Sequence, residues 1–260
     1  MGGRPRSGDL GGEQVEGRRA VAALLAVGRR RVREVSMVDG LRDSPILAEI
    51  RDCARARRVP IRMVSHAQLQ AQATTTAPQG VLARADALNE ADLDDLLIQR
   101  SAPAEKPFLL ALDGITDPQN LGALLRTAEA AGVTGVLIPR HRSARVTATV
   151  AKAAAGAIES LAIAGVAGMP SALARAREKG CWVVGLDGVA TSCLFDTPVA
   201  TDAIVVVLGA EGGGLSRLTR QRCDLVVSIP MAGSVSSLNV SAAGALALFE
   251  IRRRRAPSGG

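Results

Sequence analysis

Ile229-Pro-Met-Ala-Gly-Ser-Val-Ser-Ser-Leu-Asn-Val-Ser241 joins an apolar run, Leu225–Ile229, to a long helical pattern, Val240–Arg255. The run reads as a strand and the pattern as a helix whose four closing arginines suit the negative end of its dipole. Between them stand Ser234, Ser236, Ser237, Asn239 and Ser241, polar residues that favour caps and turns over helix interiors. An ordinary N-cap accounts for Ser236 or Ser237 alone. The remaining polar groups, behind a glycine-flanked turn, suit an adenosine-sized ligand held by backbone groups.

Two segments upstream have the same design of a buried strand running into a loop and then a helix. Leu208-Gly-Ala-Glu-Gly-Gly-Gly-Leu-Ser216 follows the β-branched run Ile204–Leu208. Its glycines allow close approach of backbone to a ligand. It lacks the GxGxxG spacing of a dinucleotide site, and it carries one acid, Glu211. Asp113-Gly-Ile-Thr-Asp-Pro-Gln-Asn-Leu-Gly122 follows the apolar run Phe108–Leu112 and opens a helix over Pro118–Ala131. Asn120 and Arg126 flank that helix start, where free amides and a guanidinium suit a phosphate; an Asp-Pro helix start with a solvated arginine explains the same residues. Further strands are expected at Val133–Ile138 and Cys181–Leu186, and helices at Val146–Ala155 and Ser171–Lys179. Apolar strands alternating with helices predict a parallel sheet covered on both faces, with ligands at the strand C-termini.

The first hundred residues read differently. Residues 1–12 are rich in Gly and Arg and are expected to be disordered. A helix over Val15–Val27, a strand over Val32–Val38, a helix from Ser44-Pro45 to Arg57, and a strand over Val59–Val64 follow. A short helix over His66–Gln72 and a strand over Gly80–Ala83 complete a small α/β domain at 13–86. Residues 87–106 combine an acidic cluster with Ser101–Pro107 and are taken as a linker. The larger domain spans 107–255, and 256–260 is a tail.

The 260-residue chain carries a net charge of +7, and only three of its 32 basic residues are lysines. This excess of arginine favours a phosphate-bearing partner. Three Phe, one Trp and no Tyr exclude an aromatic stacking platform as the main device for holding RNA. Four scattered cysteines and two distant histidines offer no zinc site and fit a reducing cytoplasm. No apolar stretch near the N-terminus reads as a signal peptide, and none is long enough to span a membrane.

Taken in order, N-x-G with Arg126, then GAEGGGL, then IPMAGSVSSLNVSAA resemble the three motifs of the SpoU (TrmH-like) RNA 2′-O-ribose methyltransferases. The resemblance covers about 107–255. Lys152-Ala-Ala-Ala-Gly-Ala-Ile-Glu159 is similar to a segment of the RlmB-type enzymes that act on guanosine in 23S ribosomal RNA. Residues 14–85, ending in Pro78-Gln-Gly-Val81, resemble the family's substrate-binding domain, which is similar to ribosomal protein L30e. The resemblance implies a C-terminal domain tied in a deep trefoil knot, an exception to the rule against threaded chains, with S-adenosylmethionine as cofactor. It implies that Leu208, Gly209, Glu211, Gly212, Ile229, Met231 and Leu238 meet the cofactor, and that Asn120, Arg126, Glu211, Ser237 and Asn239 form the catalytic cluster. A homodimer acting on ribosomal RNA without a metal is expected. The alternatives are a tRNA enzyme of the same family, a self-resistance enzyme acting on ribosomal RNA, and a non-catalytic RNA-binding assembly factor.

Overall fold

The computed structural model describes residues 10–98, 106–140 and 145–256. The N-terminal unit is a four-stranded sheet ordered β1 (Gln14–Glu16), β4 (Val81–Ala85), β2 (Val32–Val38), β3 (Ile61–Val64). Only β2 and β3 run parallel; β4 is antiparallel to both β1 and β2. Helices α1 (Arg18–Val27), α2 (Pro45–Ala56) and α3 (His66–Gln72) complete it. Helix α3 starts with a capping box between Ser65 and Gln68, which satisfies two backbone amides at once.

Sequence and structure differ here in identifiable ways. Val15 and Glu16, expected in the first helix, belong to β1, and the helix begins after Gly17. Ser44 precedes α2 but makes no side-chain cap; its hydroxyl is buried without a hydrogen-bond partner. Residues 10–12 of the expected disordered tail are ordered by packing. Leu10 is buried, its carbonyl accepts from the Val146 amide at 2.9 Å, and the Gly12 carbonyl accepts from Arg30 at 2.6 Å. Residues 1–9 and 257–260 lie outside the described residues.

The expected linker also takes part in the fold. Leu88 is buried and Ala91 donates to Ile163 at 2.8 Å. Helix α4 (Leu93–Leu97) is capped by Asp92 and tied by Asp94 to Arg175. The Arg175 guanidinium holds the Asp94 carboxyl below its ordinary range. Residues 99–105 lie outside the described residues.

The C-terminal unit is a seven-stranded parallel sheet ordered β7 (Ile163–Val166), β6 (Gly135–Pro139), β5 (Phe108–Asp113), β10 (Ile204–Gly209), β8 (Trp182–Leu186), β11 (Leu225–Ser228), β9 (Ser192–Cys193). Helices α5 (Pro118–Ala130), α6 (Ala148–Ala153), α7 (Met169–Glu178), α8 (Arg217–Arg220) and α9 (Val240–Arg255) accompany it. Central β10 is buried at every position, as its continuous apolar run requires of a strand covered on both faces. Strand β7 was not expected from sequence. Its Ile-Ala-Gly-Val composition is a weak strand signal, and pairing with β6 makes it one.

A single buried cluster runs from Val15, Leu24 and Val35 into Val150, Leu112 and Val206, so the two units share one core. At their seam Gly156 has φ 97°, and a methyl group there would lie 2.3 Å from the Ala23 side chain. The close approach of α1 to this turn therefore requires glycine. Among the described residues, no helix is long and apolar enough to cross a membrane.

Candidate active site

Strands β5, β10, β8 and β11 are neighbours, and the three loops singled out from sequence follow β5, β10 and β11. The register pairs Gly209 with Asp113, so the first two loops leave the sheet side by side. Asp113 accepts from the Ser216 amide at 3.3 Å and ties one loop to the other.

The loop after β10 folds back on itself. The Gly214 amide donates to the Ala210 carbonyl at 2.9 Å. A methyl group on Gly209 would lie 2.1 Å from the Gly214 carbonyl, so only glycine permits this approach. The turn presents Glu211 to solvent, and Leu208 behind it is buried.

Helix α5 starts at Asp117, whose carboxylate accepts from the Asn120 amide at 2.7 Å. This leaves the Asn120 side chain free to turn to Glu211, and its Nδ2 donates to Glu211 Oε2 at 3.0 Å. Asn239 completes a triangle. Its Nδ2 donates to Asn120 Oδ1 at 3.0 Å and to Glu211 Oε1 at 3.3 Å. The Asn239 Oδ1 meanwhile caps α9 by accepting from the Ser241 amide at 2.8 Å. The N-cap of α9 is thus Asn239, and not Ser236 or Ser237, because its side chain alone reaches both Ser241 and the triangle.

The structure brings Asn120, Glu211 and Asn239 together from three loops. Ser237 is exposed and makes no side-chain hydrogen bond among the described residues. Arg126 does not join the triangle. Six residues beyond Asn120 on α5, it is displaced by about 9 Å along the helix and turned to another face. It lines a cleft with Arg18, Arg19 and Lys152. Gly212, at φ 73°, has open space around it. Ile229 is half-buried at the end of β11; Met231 and Leu238 are exposed.

Sequence reasoning missed Asp187, just past the end of β8. Its carboxylate pairs with the Arg220 side chain and accepts from the Val189 amide at 3.2 Å. The signal was an acid at the C-terminal end of a buried strand, as Asp113 is at the end of β5.

Residues 107–249 match the SpoU rRNA methylase family, and residues 14–91 match the RNA 2′-O ribose methyltransferase substrate-binding family. The Vibrio cholerae 23S rRNA (guanosine-2′-O-)-methyltransferase RlmB is 43% identical over 249 residues, spanning 95% of this chain and 98% of the relative. The SpoU methyltransferase AviRb from Streptomyces viridochromogenes, solved with AdoMet, superposes with a TM-score of 0.75 at 27% identity. That match covers 93% of this chain and 90% of the other. The TrmH/SpoU tRNA modifying enzyme of A. aeolicus superposes with a TM-score of 0.52 at 25% identity, over 63% of this chain and 80% of the other. With both of its units matched and its three motif loops gathered at the ends of adjacent strands, this chain belongs to the SpoU rRNA methylase family.

Proposed function

We propose that this chain transfers a methyl group from S-adenosylmethionine to the 2′-hydroxyl of a guanosine in 23S ribosomal RNA, as a cytoplasmic homodimer. The observation that carries the reading is the Asn120–Glu211–Asn239 triangle beside an exposed, backbone-rich loop. Near-full-length similarity to a 23S rRNA guanosine enzyme supports the substrate. The tRNA enzyme matches 63% of the chain, which favours the ribosomal reading over the tRNA one.

The residues fit the cofactor. From residue 230 to 239 every position is exposed, and residues 230–238 make no backbone–backbone hydrogen bond among the described residues. Such a loop offers free amides and carbonyls to the polar edges of an adenosine. Ile229, Met231 and Leu238 supply apolar surface for the ring, while Leu208, Gly209, Glu211 and Gly212 border it from the second loop. The cofactor supplies a methyl group already activated by its sulfonium.

What remains is alignment and removal of one proton. Asn120 and Asn239 fix the Glu211 carboxylate with two hydrogen bonds, and Glu211 takes the hydroxyl proton and passes it to water. Ser237 offers a free hydroxyl to the ribose. Arg126, whose guanidinium is a poor proton acceptor, holds a phosphate instead. The reading includes the trefoil knot, with the loops after β8, β10 and β11 forming its cofactor pocket. It also includes dimerisation, for which exposed Leu246 and Phe249 on α9 offer apolar surface.

The test is a map of 2′-O-methyl positions in total RNA from cells with and without the gene. Loss of one guanosine signal in 23S rRNA is expected. Loss confined to tRNA, or no loss, overturns the proposal.

A further inference from the structure

A cleft of about 610 Å³ opens at the seam between the two units. Its cationic lining comes from three helices: Arg18 and Arg19 from α1, Arg126 from α5 and Lys152 from α6. The one acid in the lining, Glu16, is already committed: its two oxygens accept from Gln14 and from the amides and hydroxyls of Thr74 and Thr75. Arg18 is held by the Gln79 carbonyl at 3.1 Å. Arg19, Arg126 and Lys152 have no hydrogen bond or ion pair from their side chains among the described residues.

Several arginines elsewhere are neutralised by a partner. Arg30, Arg33, Arg51, Arg140, Arg175 and Arg220 each sit on a carboxylate. Gathering several uncompensated cations in one cleft is unfavourable through mutual repulsion. Arg18 and Arg19 add to this in the first turn of a helix, where positive charge opposes the dipole. An anion in the cleft relieves both.

We infer that the seam cleft is a phosphodiester clamp, in which Arg18, Arg19, Arg126 and Lys152 grip the RNA backbone near the reacting nucleotide. The inference rests on the proposed function and names the residues that hold its substrate. Guanidinium groups match phosphate oxygens in two-point contacts. No aromatic side chain lines the cleft, so it offers backbone recognition and no base stacking. Arg126 shares α5 with Asn120, which couples the clamp to the triangle through one rigid helix. The clamp therefore supplies affinity and orientation, and selection of the base falls to other surfaces.

The test uses the full chain, an in-vitro 23S rRNA transcript and an unrelated RNA of equal length. Arg19→Gln, Lys152→Gln and their double variant are compared with wild type. Each substitution is expected to lower the slope of log affinity against log salt by about one, and the double variant by about two, on both RNAs. For methyl transfer to the transcript, KM of the double variant rises about tenfold or more, with kcat within about twofold. S-adenosylmethionine affinity by calorimetry is unchanged, and Arg19→Lys retains the wild-type slope. Unchanged slopes and KM overturn the clamp. So does loss of thermal stability together with cofactor affinity, which assigns these side chains to packing of the seam. If the variants show these slope changes but wild type transfers no methyl group, the proposed function fails and the clamp stands.

Discussion

Asn239 Oδ1 accepts from the amide and the hydroxyl of Ser241 at 2.8 and 2.6 Å, while its Nδ2 donates to Asn120 and Glu211. One side chain thus starts a helix and orients a carboxylate, and two substitutions separate these duties. Asn239→Ala removes both, and losing the cap costs about 0.5–2 kcal/mol. Asn239→Asp keeps a good cap but sets a second carboxylate against Glu211. Thermal unfolding is expected to show Asn239→Ala destabilised and Asn239→Asp close to wild type. Single-turnover methylation is expected to fall about tenfold or more in both. Full turnover in Asn239→Asp would remove the triangle from the chemistry.

At the scale of elements, Glu16 joins β1 to the turn between α3 and β4. Burial by itself would raise its pKa, but the Thr74 amide and the side chains of Thr75, Gln14 and Thr74 together carry it below the ordinary 4.5. A depressed carboxyl pKa adds stability that is complete above the unfolded value and is lost as pH falls through the folded one. Wild type is therefore expected to lose stability as pH drops below about 4.5. Glu16→Gln, already destabilised at pH 7 by about 1–3 kcal/mol through unpaired donors, should show a flatter acid limb. Chemical denaturation across about pH 3–7 would measure it; parallel curves would mean that Glu16 is not the titrating group. Apolar runs made β2, β5 and β10 legible, because period and burial are local properties. Ser44 shows the limit: the residue type suited a cap, but packing buried its hydroxyl without a partner.

The whole molecule is held at its seam by Arg30 and Glu159, 129 residues apart, paired at 2.6 and 3.0 Å with side chains 2% exposed. Arg30 also donates to the Gly12 and Asp86 carbonyls. Removing one partner strands a buried charge and costs about 3–5 kcal/mol. Arg30→Met and Glu159→Leu, combined, should cost clearly less than the sum of the single changes. With a shared core, wild type should unfold in one cooperative transition. Two separate transitions, or strictly additive losses, would show that the units are not coupled through this pair.

The family resemblance implied that Asn120, Glu211 and Asn239 meet; by itself the sequence determined the alternation of strands and helices, the parallel sheet and the three loops at strand ends. These follow from local periodicity and from residue types carried at strand ends. The tertiary structure alone decided that Arg126 lies in the seam cleft rather than at the triangle. It also decided that Leu10–Gly12 are ordered, that residues 88–98 pack into the fold, and that Arg30 finds Glu159. Such contacts depend on how helices rotate and pack against distant strands, and spacing along the chain carries no record of that rotation.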